Sequence, residues 1–391
     1  MKLGTSALRL IAVAGVASLA LTACGGGDDS SGGGDVSEVS IGLMGDLTGE
    51  NSGIVLPIKN AAELAIEEYN ATNPDTKIKL IPYDSQAKPE QATALAKQAI
   101  KEDKIVGLIG PAFSGESAQV GPVLEEAKVP SVSASATNAD LAESGWKYWH
   151  RVIADDDVQG AGIGNFIVNG LSAKKVFIID DKSTYGQPLG ATVKTTVEAG
   201  SASSQTDSID AKASDYSSTV NKVKAFAPDA IFFAGYYAQG GKLLKQLREA
   251  GVDGKFLSAD GSLDPGLAKG AGGKNAEGAL IGCPCLIDPE GSAGDASKKF
   301  ADAYKTKFGS PTAIYSAEAY DAASVFINAV KAGNVTAEDI NNWIASADFP
   351  GVSKQIKFQE NGEIAADDVY IYKVTGETLP LLGNAKEAKV E

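Results

Sequence analysis

The stretch GLIGPAFSGESAQVGPVLEEAKVPSVSASAT, residues 107–137, decides the fold of this chain. Two short apolar runs, 105–109 and 129–132, lead directly into small and hydroxylated residues, with a helix-like segment between them. This order predicts a strand, a loop, a helix, a second strand and a second loop, which is the repeating unit of a parallel α/β sheet. Both loops would emerge at the carboxyl ends of neighbouring strands, where open sheets of this class bind their ligands.

The two loops carry polar groups suited to a small polar molecule. Ser114 falls where the helix begins, so its hydroxyl and the free amides behind it can meet a carboxylate. Ser135 and Thr137 lie on the second loop, two residues apart, and can hold the other end of the same molecule. The alternative for Ser114 is a simple helix N-cap, which is the commoner role of a Ser at such a position.

Strand-like and helix-like segments alternate along the folded part of the chain, which begins near Val36. Some 350 residues follow; they exceed one typical core and predict two similar lobes, each a doubly wound α/β structure. Strands are predicted at 39–44, 78–83, 105–109, 129–132, 175–180, near 203, 230–233 and 256–258, with amphipathic helices between them. Toward the C-terminus the pattern predicts helices at 301–308, 313–330 and 337–345, then strands 356–358 and 369–374 around the turn Asn361–Gly362. The acids Asp155, Asp156 and Asp157 precede a predicted helix, where they suit the helix dipole better than a metal site.

The first 35 residues are predicted to target and tether the protein. Residues 1–23 combine a positive start with an apolar core too short to span a membrane comfortably. The core ends in Leu-Thr-Ala-Cys at Cys24, which resembles the bacterial lipoprotein signal, in which the chain is cut before the Cys and lipid is attached to its sulfur. An ordinary secretory signal or a single-pass helix is the alternative. Residues 24–35, rich in Gly, Asp and Ser, then form a flexible tether, so we expect a lipid-anchored extracytoplasmic protein.

Charge and cysteine content exclude several functions. With 35 Lys and Arg against 50 Asp and Glu, the net charge of −15 argues against a nucleic-acid partner. Beyond Cys24 only Cys283 and Cys285 remain; they are too few for a metal site, and their small ring favours unpaired or weakly structural thiols over a disulfide. The glycines 160, 162 and 164 do not follow a strand as a dinucleotide fingerprint requires. We therefore expect no metal and no cofactor.

An enzyme is also not expected. The one histidine, His150, lies next to a predicted crossover between the lobes, and no nucleophile-elbow motif is present. His150 is interpreted as a structural residue near the hinge.

Several motifs recur together, in order, over most of the chain: IGLMGDLTG, YDSQAKPEQA, IGPAFSG, VPSVSASATNADL, DDKSTYGQ and FFAGYYAQGGKLLKQLREAG. In this respect residues 36–374 resemble type 1 periplasmic substrate-binding proteins of the leucine/isoleucine/valine-binding family, which serve ABC transporters. The resemblance implies two α/β lobes joined by three crossovers. Lobe 1 would comprise residues 36–155 and 284–364, lobe 2 residues 156–283 and 365–385, and residues 386–391 a tail.

The resemblance also implies a binding site between the lobes. The ligand's carboxylate would meet the Ser114 hydroxyl and nearby backbone amides, and its ammonium would meet the Ser135 carbonyl, the Thr137 hydroxyl and a lobe 2 carboxylate. Asp260 lies where that carboxylate belongs, although an Asp before Gly261 also suits a turn. The resemblance further implies that two tyrosines close over the ligand, and these are Tyr185 and Tyr236.

The chain departs from the family pattern at the side-chain end of the expected site. Ile54 stands where many members have Tyr, Asp260 is one carbon shorter than the commoner Glu, and Ala87 and Phe113 replace a disulfide found in some members. Ile54, Phe113 and Tyr83 are candidate pocket walls, and each is equally suited to the core.

The function implied is that of a monomeric receptor that captures an aliphatic or small polar amino acid and delivers it to an ABC transporter permease. The alternatives are an amide, urea or aromatic acid bound by the same fold, and a ligand-sensing or docking protein.

Overall fold

The computed structural model describes residues 36–389. The predicted signal segment, Cys24 and the tether lie outside this range.

The first sheet is built from the N-terminal part of the chain. All of its strands are parallel: β1 (Glu38–Gly45), β2 (Lys77–Asp84), β3 (Gly107–Ile109), β4 (Ser131–Ser133) and β5 (Trp149–Arg151). They lie in the order β2-β1-β3-β4-β5. As predicted, the loops after β3 and β4 therefore leave the sheet side by side at its carboxyl edge.

The second sheet has seven strands: β6 (Lys175–Asp180), β7 (Ser203–Ser208), β8 (Ala230–Ala234), β9 (Lys255–Ser258), β10 (Leu280–Cys283), β13 (Tyr370–Lys373) and β14 (Leu381–Asn384). Their order is β14-β13-β10-β9-β8-β6-β7, with only β13 and β14 antiparallel to their neighbours. A separate antiparallel pair is formed by β11 (Asp348–Pro350) and β12 (Gln355–Lys357).

Helices cover both faces of each sheet, which is the doubly wound arrangement predicted from the sequence. They are α1 (Ser52–Ala71), α2 (Pro89–Lys101), α3 (Ser114–Ala127), α4 (Asp156–Asn165), α5 (Gly186–Ala199), α6 (Ser217–Phe226), α7 (Tyr237–Glu249), α8 (Pro265–Ala271), α9 (Asp295–Phe308), α10 (Ser316–Lys331) and α11 (Ala337–Ile344). Although α9, α10 and α11 follow the second sheet in sequence, α9 and α10 pack on α1, and α11 packs on α10. The chain then returns to the second sheet as β13, so it passes between the two sheets three times. The predicted fold class of two α/β lobes is confirmed.

The predicted strands around the Asn361–Gly362 turn are present as β12 and β13, but they do not pair with each other. The turn at Asn361–Gly362 forms, with the Gly362 amide donating to the Gln359 carbonyl at 3.0 Å, but the strands on either side belong to different sheets. The Gly362 carbonyl accepts from the Arg151 amide at 3.0 Å, which holds this turn beside β5 before the chain crosses to the second sheet. A local turn signal therefore cannot reveal that the next strand pairs elsewhere.

The expectation of unpaired thiols is also wrong. Cys283 and Cys285 form a disulfide at the end of β10, with their Cα atoms 5.1 Å apart. The turn through Pro284 brings the two cysteines within the ordinary range for a bridge despite their short separation. The Tyr372 hydroxyl donates to the Cys285 carbonyl at 2.9 Å and accepts from the Ile287 amide at 2.8 Å, which fixes this crossover.

Within residues 36–389, no helix combines the length and apolar character needed to cross a membrane.

Candidate functional site

A small cavity lies between the carboxyl edges of the two sheets. It is lined by Ile54, Ala112, Phe113, Ser114, Ser135, Tyr185, Tyr236, Asp260, Gly261 and Tyr315. Five of the six predicted ligand-binding residues therefore meet around one space, although they come from segments far apart in sequence. Thr137, the sixth, is buried next to the cavity, where its carbonyl accepts from the Asp156 amide at 2.8 Å.

On the side of the first sheet, the cavity wall consists of the backbone of the loops after β3 and β4, which serine hydroxyls link to each other. We call this wall the backbone frame. Ser114 is the first residue of α3 and does not cap it; its hydroxyl instead accepts from the Asn138 amide at 3.3 Å and links the two loops. The Ser135 hydroxyl donates to the Ala112 carbonyl at 2.8 Å and makes a second link. The first-turn amides of α3 have no partner within the helix, so this wall presents donors suited to a carboxylate.

Arg151 holds the backbone on both sides of Thr137. Its fully buried guanidinium donates to the Ala136 carbonyl at 3.0 Å and to the Asn138 carbonyl at 2.8 Å. The same group forms a two-pronged ion pair with Glu363, in which the Nε–Oε2 distance is 2.8 Å. A planar guanidinium that is fully bonded in this way fixes the loop as well as neutralising a buried acid.

The wall formed by the second sheet is a cluster of side chains around Asp260. The Tyr185 hydroxyl donates to Asp260 Oδ1 at 2.5 Å and accepts from the Gly261 amide at 3.2 Å. Tyr236 packs between the walls, with its ring centroid 5.2 Å from that of Tyr185 and 5.3 Å from that of Phe113. Burial raises the pKa of Asp260 above the ordinary value for an aspartate.

Tyr315 was missed in the sequence analysis. Its hydroxyl donates to Asp260 Oδ2, so the two oxygens of this carboxylate are bonded by one tyrosine from each side of the cleft. Tyr315 falls inside the predicted helix 313–330, but the helix begins at Ser316 and Tyr315 precedes it with φ of 59°. The helical pattern thus hid a residue whose left-handed backbone turns its side chain into the site.

Asp156 is the second residue near Asp260 that the sequence analysis missed. As predicted, the three acids lie at the start of α4: Asp155 caps the helix by accepting from the Val158 amide at 2.9 Å, and Asp156 and Asp157 are in its first turn. Asp156 is also buried, and Gln159 connects it to Asp260: the Gln159 amide group donates to Asp156 Oδ1 at 2.8 Å and accepts from the Asp260 amide at 3.1 Å. Burial and then the negative charge of Asp260 raise the pKa of Asp156 well above its ordinary value.

Thr137 and Asp156 face each other next to this cluster. The Thr137 hydroxyl oxygen and Asp156 Oδ2 are both buried, and neither has a hydrogen-bond partner of good geometry among residues 36–389. The Thr137 hydroxyl lowers the pKa of Asp156, against the larger effect of burial, so each group is the other's weak partner. Their remaining lone pairs suit a cationic hydrogen-bond donor.

Comparison with known proteins places this arrangement in a family. A family model described as periplasmic binding protein matches residues 38–378. The chain is a type 1 periplasmic binding protein of the leucine/isoleucine/valine-binding family.

Relatives of this periplasmic binding protein align over most of their length. It is 27% identical to the leucine-, isoleucine-, valine-, threonine- and alanine-binding protein of Pseudomonas aeruginosa over 95% of this chain and 97% of the relative. It is 31% identical to an amino acid binding protein of the same organism over 66% of this chain and 71% of the relative. A leucine binding protein of Thermotoga maritima superimposes with a TM-score of 0.81 at 27% identity, covering 88% of this chain and 98% of that structure.

The side-chain end of the binding protein's cleft differs in part from the prediction. Ile54 and Phe113 line the cavity as candidate walls. Tyr83 does not: its hydroxyl donates to Asp103 at 2.8 Å, and its ring packs in a separate core with Met44 and Leu108. Tyr83, on the edge strand β2, therefore lies in this core and not in the wall of the cavity.

The family consists of substrate-binding proteins and has an extracytoplasmic location. His150 is not among the residues that line the cavity; it is buried in β5 with Nδ1 3.2 Å from the Ser131 carbonyl. Burial lowers the pKa of His150 to about 4, so the ring is neutral at physiological pH.

Proposed function

We propose that this binding protein captures an amino acid in the cavity between its two lobes and delivers it to an ABC transporter permease. The observation that carries the proposal is the buried Asp260 carboxylate facing a frame of hydroxyls and helix amides across the same cavity. A zwitterion removed from water needs a partner for each of its charges. The relatives' names, which include leucine, isoleucine, valine, threonine and alanine, support an aliphatic or small polar amino acid.

The proposed contacts divide between the two walls. The ligand's carboxylate meets the Ser114 hydroxyl and the first-turn amides of α3. Its ammonium meets the Ser135 carbonyl, the Thr137 hydroxyl and Asp260. Tyr185 and Tyr236 close over the ligand, so both lobes touch it only when the cleft is shut, and binding favours the closed state.

The proposed lobes are residues 36–155 with 284–364, and residues 156–283 with 365–385. The membership of the two sheets supports this division, because the first contains residues 38–151 and the second residues 175–283 and 370–384. We place the monomeric protein at the outer face of a membrane, held by lipid on Cys24. Loss of the membrane-bound fraction in Cys24→Ala tests the anchor.

The proposed ligand class is tested by calorimetric titration of the purified, refolded chain with L-amino acids, urea, small amides and aromatic acids. We expect saturable one-to-one binding of one or a few L-amino acids. Asp260→Ala should weaken that binding at least about a hundredfold, because a buried ammonium would lose its charge partner. Asp253→Ala, which removes an exposed acid just before β9, serves as the control and should leave the affinity unchanged.

Unaltered binding by the Asp260→Ala variant would contradict the proposal. Binding restricted to uncharged amides or aromatic acids would favour the second ligand class on the same fold. A folded protein that binds nothing in the panel would favour a sensing or docking role.

A further inference from the structure

The cleft between the two lobes is filled by the protein's own side chains. The cavity that Asp260 lines has a volume of about 10 Å³, near the roughly 10–15 Å³ that a single water requires. An amino acid, even one without a side chain, is several times larger than a water molecule. This closed conformation therefore has no room for the proposed ligand, and binding requires the cleft to widen.

The bond that Tyr315 makes to Asp260 joins the two lobes. Asp260 follows β9 of the second sheet, whereas Tyr315 precedes α10, which packs on α1 and on β3 and β4 of the first sheet. The Tyr315 hydroxyl donates to Asp260 Oδ2, and the hydroxyl of Tyr185, from the same lobe as Asp260, donates to Oδ1 at 2.5 Å. Tyr315 thus supplies, from lobe 1, the hydrogen-bond donor that the ligand's ammonium supplies in the proposed function.

Two further hydrogen bonds join the lobes away from the cavity. The Gly53 amide, at the start of α1, donates to the hydroxyl of Tyr237, at the start of α7, at 3.1 Å. The Asn138 side-chain amide donates to the Thr184 carbonyl at 2.7 Å. None of these four residues lines the cavity, so neither bond needs a ligand.

The contact at Gly53 depends on a close approach of its backbone to lobe 2. A Cβ atom at this position would lie 2.8 Å from Cγ of Asp264 and 3.0 Å from the Tyr237 hydroxyl oxygen. Non-bonded carbon atoms prefer separations of about 3.5–4.0 Å. The Asp264 carboxylate caps α8 by accepting from the Gly266 amide at 2.6 Å, which holds it in this position. Gly53→Ala would therefore force the lobes apart.

We infer that the protein holds its cleft shut without a ligand, and that the Tyr315 hydroxyl competes with the amino acid for Asp260. This inference rests on the proposed function and describes how that same site is regulated. We call the conformation held by the three bonds between the lobes the self-closed state. An amino acid binds only after Tyr315 has released Asp260, so the fraction of the protein in the self-closed state lowers the apparent affinity.

The competition is tested by calorimetric titration of wild type and Tyr315→Phe with a panel of L-amino acids. Tyr315→Phe keeps the ring and removes the hydroxyl that bonds to Asp260 in the self-closed state. We expect this variant to bind the same amino acids about tenfold more tightly than wild type, because a hydrogen bond to a charged group no longer opposes opening. Tyr83→Phe is the matched control: it removes a tyrosine hydroxyl bond to Asp103 outside the cavity and should leave the affinity unchanged.

Small-angle X-ray scattering tests the self-closed state without any ligand. Ligand-free Tyr315→Phe and Gly53→Ala should each have a larger radius of gyration than ligand-free wild type, because each loses a contact that holds the lobes together. Gly190→Ala is the control for Gly53→Ala. It also adds a methyl group to a glycine in a helix, but the atom nearest to that Cβ is 3.6 Å away and in the same lobe, so the radius should not change. Thermal unfolding followed by circular dichroism establishes that each variant is folded.

The inference is overturned if folded Tyr315→Phe binds no more tightly than wild type, or if ligand-free Gly53→Ala is as compact as ligand-free wild type. Binding by Tyr315→Phe of an amino acid that wild type does not bind would support it. Failure of wild type and Tyr315→Phe alike to bind any L-amino acid would instead overturn the proposed function. The scattering of the ligand-free variants would then still show whether the protein closes on its own.

Discussion

The two walls of the cleft hold their polar groups in different ways. On the side of the first sheet, Ser114 and Ser135 use their hydroxyls to fasten one loop to the other, and Arg151 donates to the backbone around Thr137. On the side of the second sheet, Asp260 and Asp156 are buried close to each other, linked by Gln159. One wall is a neutral backbone frame, whereas the other is a titratable pair of acids.

This difference indicates that the walls respond to different perturbations. The position of the backbone frame should depend on the Arg151–Glu363 ion pair. Its contribution to the binding affinity should change little with pH. The acid pair should depend on protonation, because two neighbouring buried carboxylates do not both ionise readily. Substitutions can therefore affect one wall and leave the other intact.

The largest effect is expected from Arg151→Ala. This change removes the guanidinium from the Ala136 and Asn138 carbonyls and leaves the mostly buried Glu363 carboxylate without its partner. We expect the free energy of unfolding to fall by about 3–5 kcal/mol, as in other proteins that lose one partner of a buried ion pair. Urea unfolding followed by circular dichroism measures this loss, and titration with L-alanine should show weaker binding by the folded fraction.

Lys357→Ala is the matched control for Arg151→Ala. Lys357 forms an ion pair with Asp348 at 2.8 Å, but both side chains are largely exposed. Its removal should have little effect on stability or binding. A stability of Arg151→Ala within about 1 kcal/mol of wild type would show that the frame does not depend on this ion pair.

A smaller effect is expected from pH acting on the acid pair. Burial raises the pKa of Asp260, and burial together with the charge of Asp260 raises the pKa of Asp156. An ammonium ligand favours the ionised pair, so binding must release the proton that the pair holds at low pH. Affinity for L-alanine should therefore rise as the pH rises above the ordinary aspartate range, by at most about tenfold per pH unit for one released proton. Titrations in buffers of different ionisation enthalpy count that proton directly.

Asp156→Asn should flatten this pH dependence, because it removes one of the two competing charges. Asp253→Asn, which neutralises an exposed acid just before β9, is the control and should leave the slope of affinity against pH unchanged. A slope that is retained in Asp156→Asn would show that the released proton does not come from the acid pair.

The backbone frame was largely predictable from the sequence. Each loop of residues 107–137 follows an apolar run directly, so strand order alone brings Ser114 and Ser135 to one edge of the sheet. The alternation of segments likewise predicted two doubly wound lobes, because a strand period and a helix period are both visible locally. Asp260, Tyr185 and Tyr236 were predicted from the family resemblance, and all three line the same cavity.

The remaining features depend on tertiary contacts that leave no local pattern. Asp155 and Asp156 are adjacent acids at the start of one helix, and only the packing of α4 against the second sheet distinguishes the half-buried cap from the fully buried carboxylate. Tyr315 continues a helical pattern, but the chain takes a left-handed turn there. The Asn361–Gly362 turn was recognised, whereas the partner of the following strand was not, because pairing was decided by the crossover between sheets.

The most direct test is to measure separately how much the ligand's carboxylate and its ammonium each contribute to the binding affinity. Calorimetric titration would compare L-alanine with L-alaninamide, which keeps the ammonium and lacks the carboxylate, and with propionate, which keeps the carboxylate and lacks the ammonium. If the backbone frame binds the carboxylate and the acid pair binds the ammonium, each truncated ligand should bind at least about a hundredfold more weakly than L-alanine. Equal binding of L-alanine and either truncated ligand would contradict the assignment of one charge to each wall.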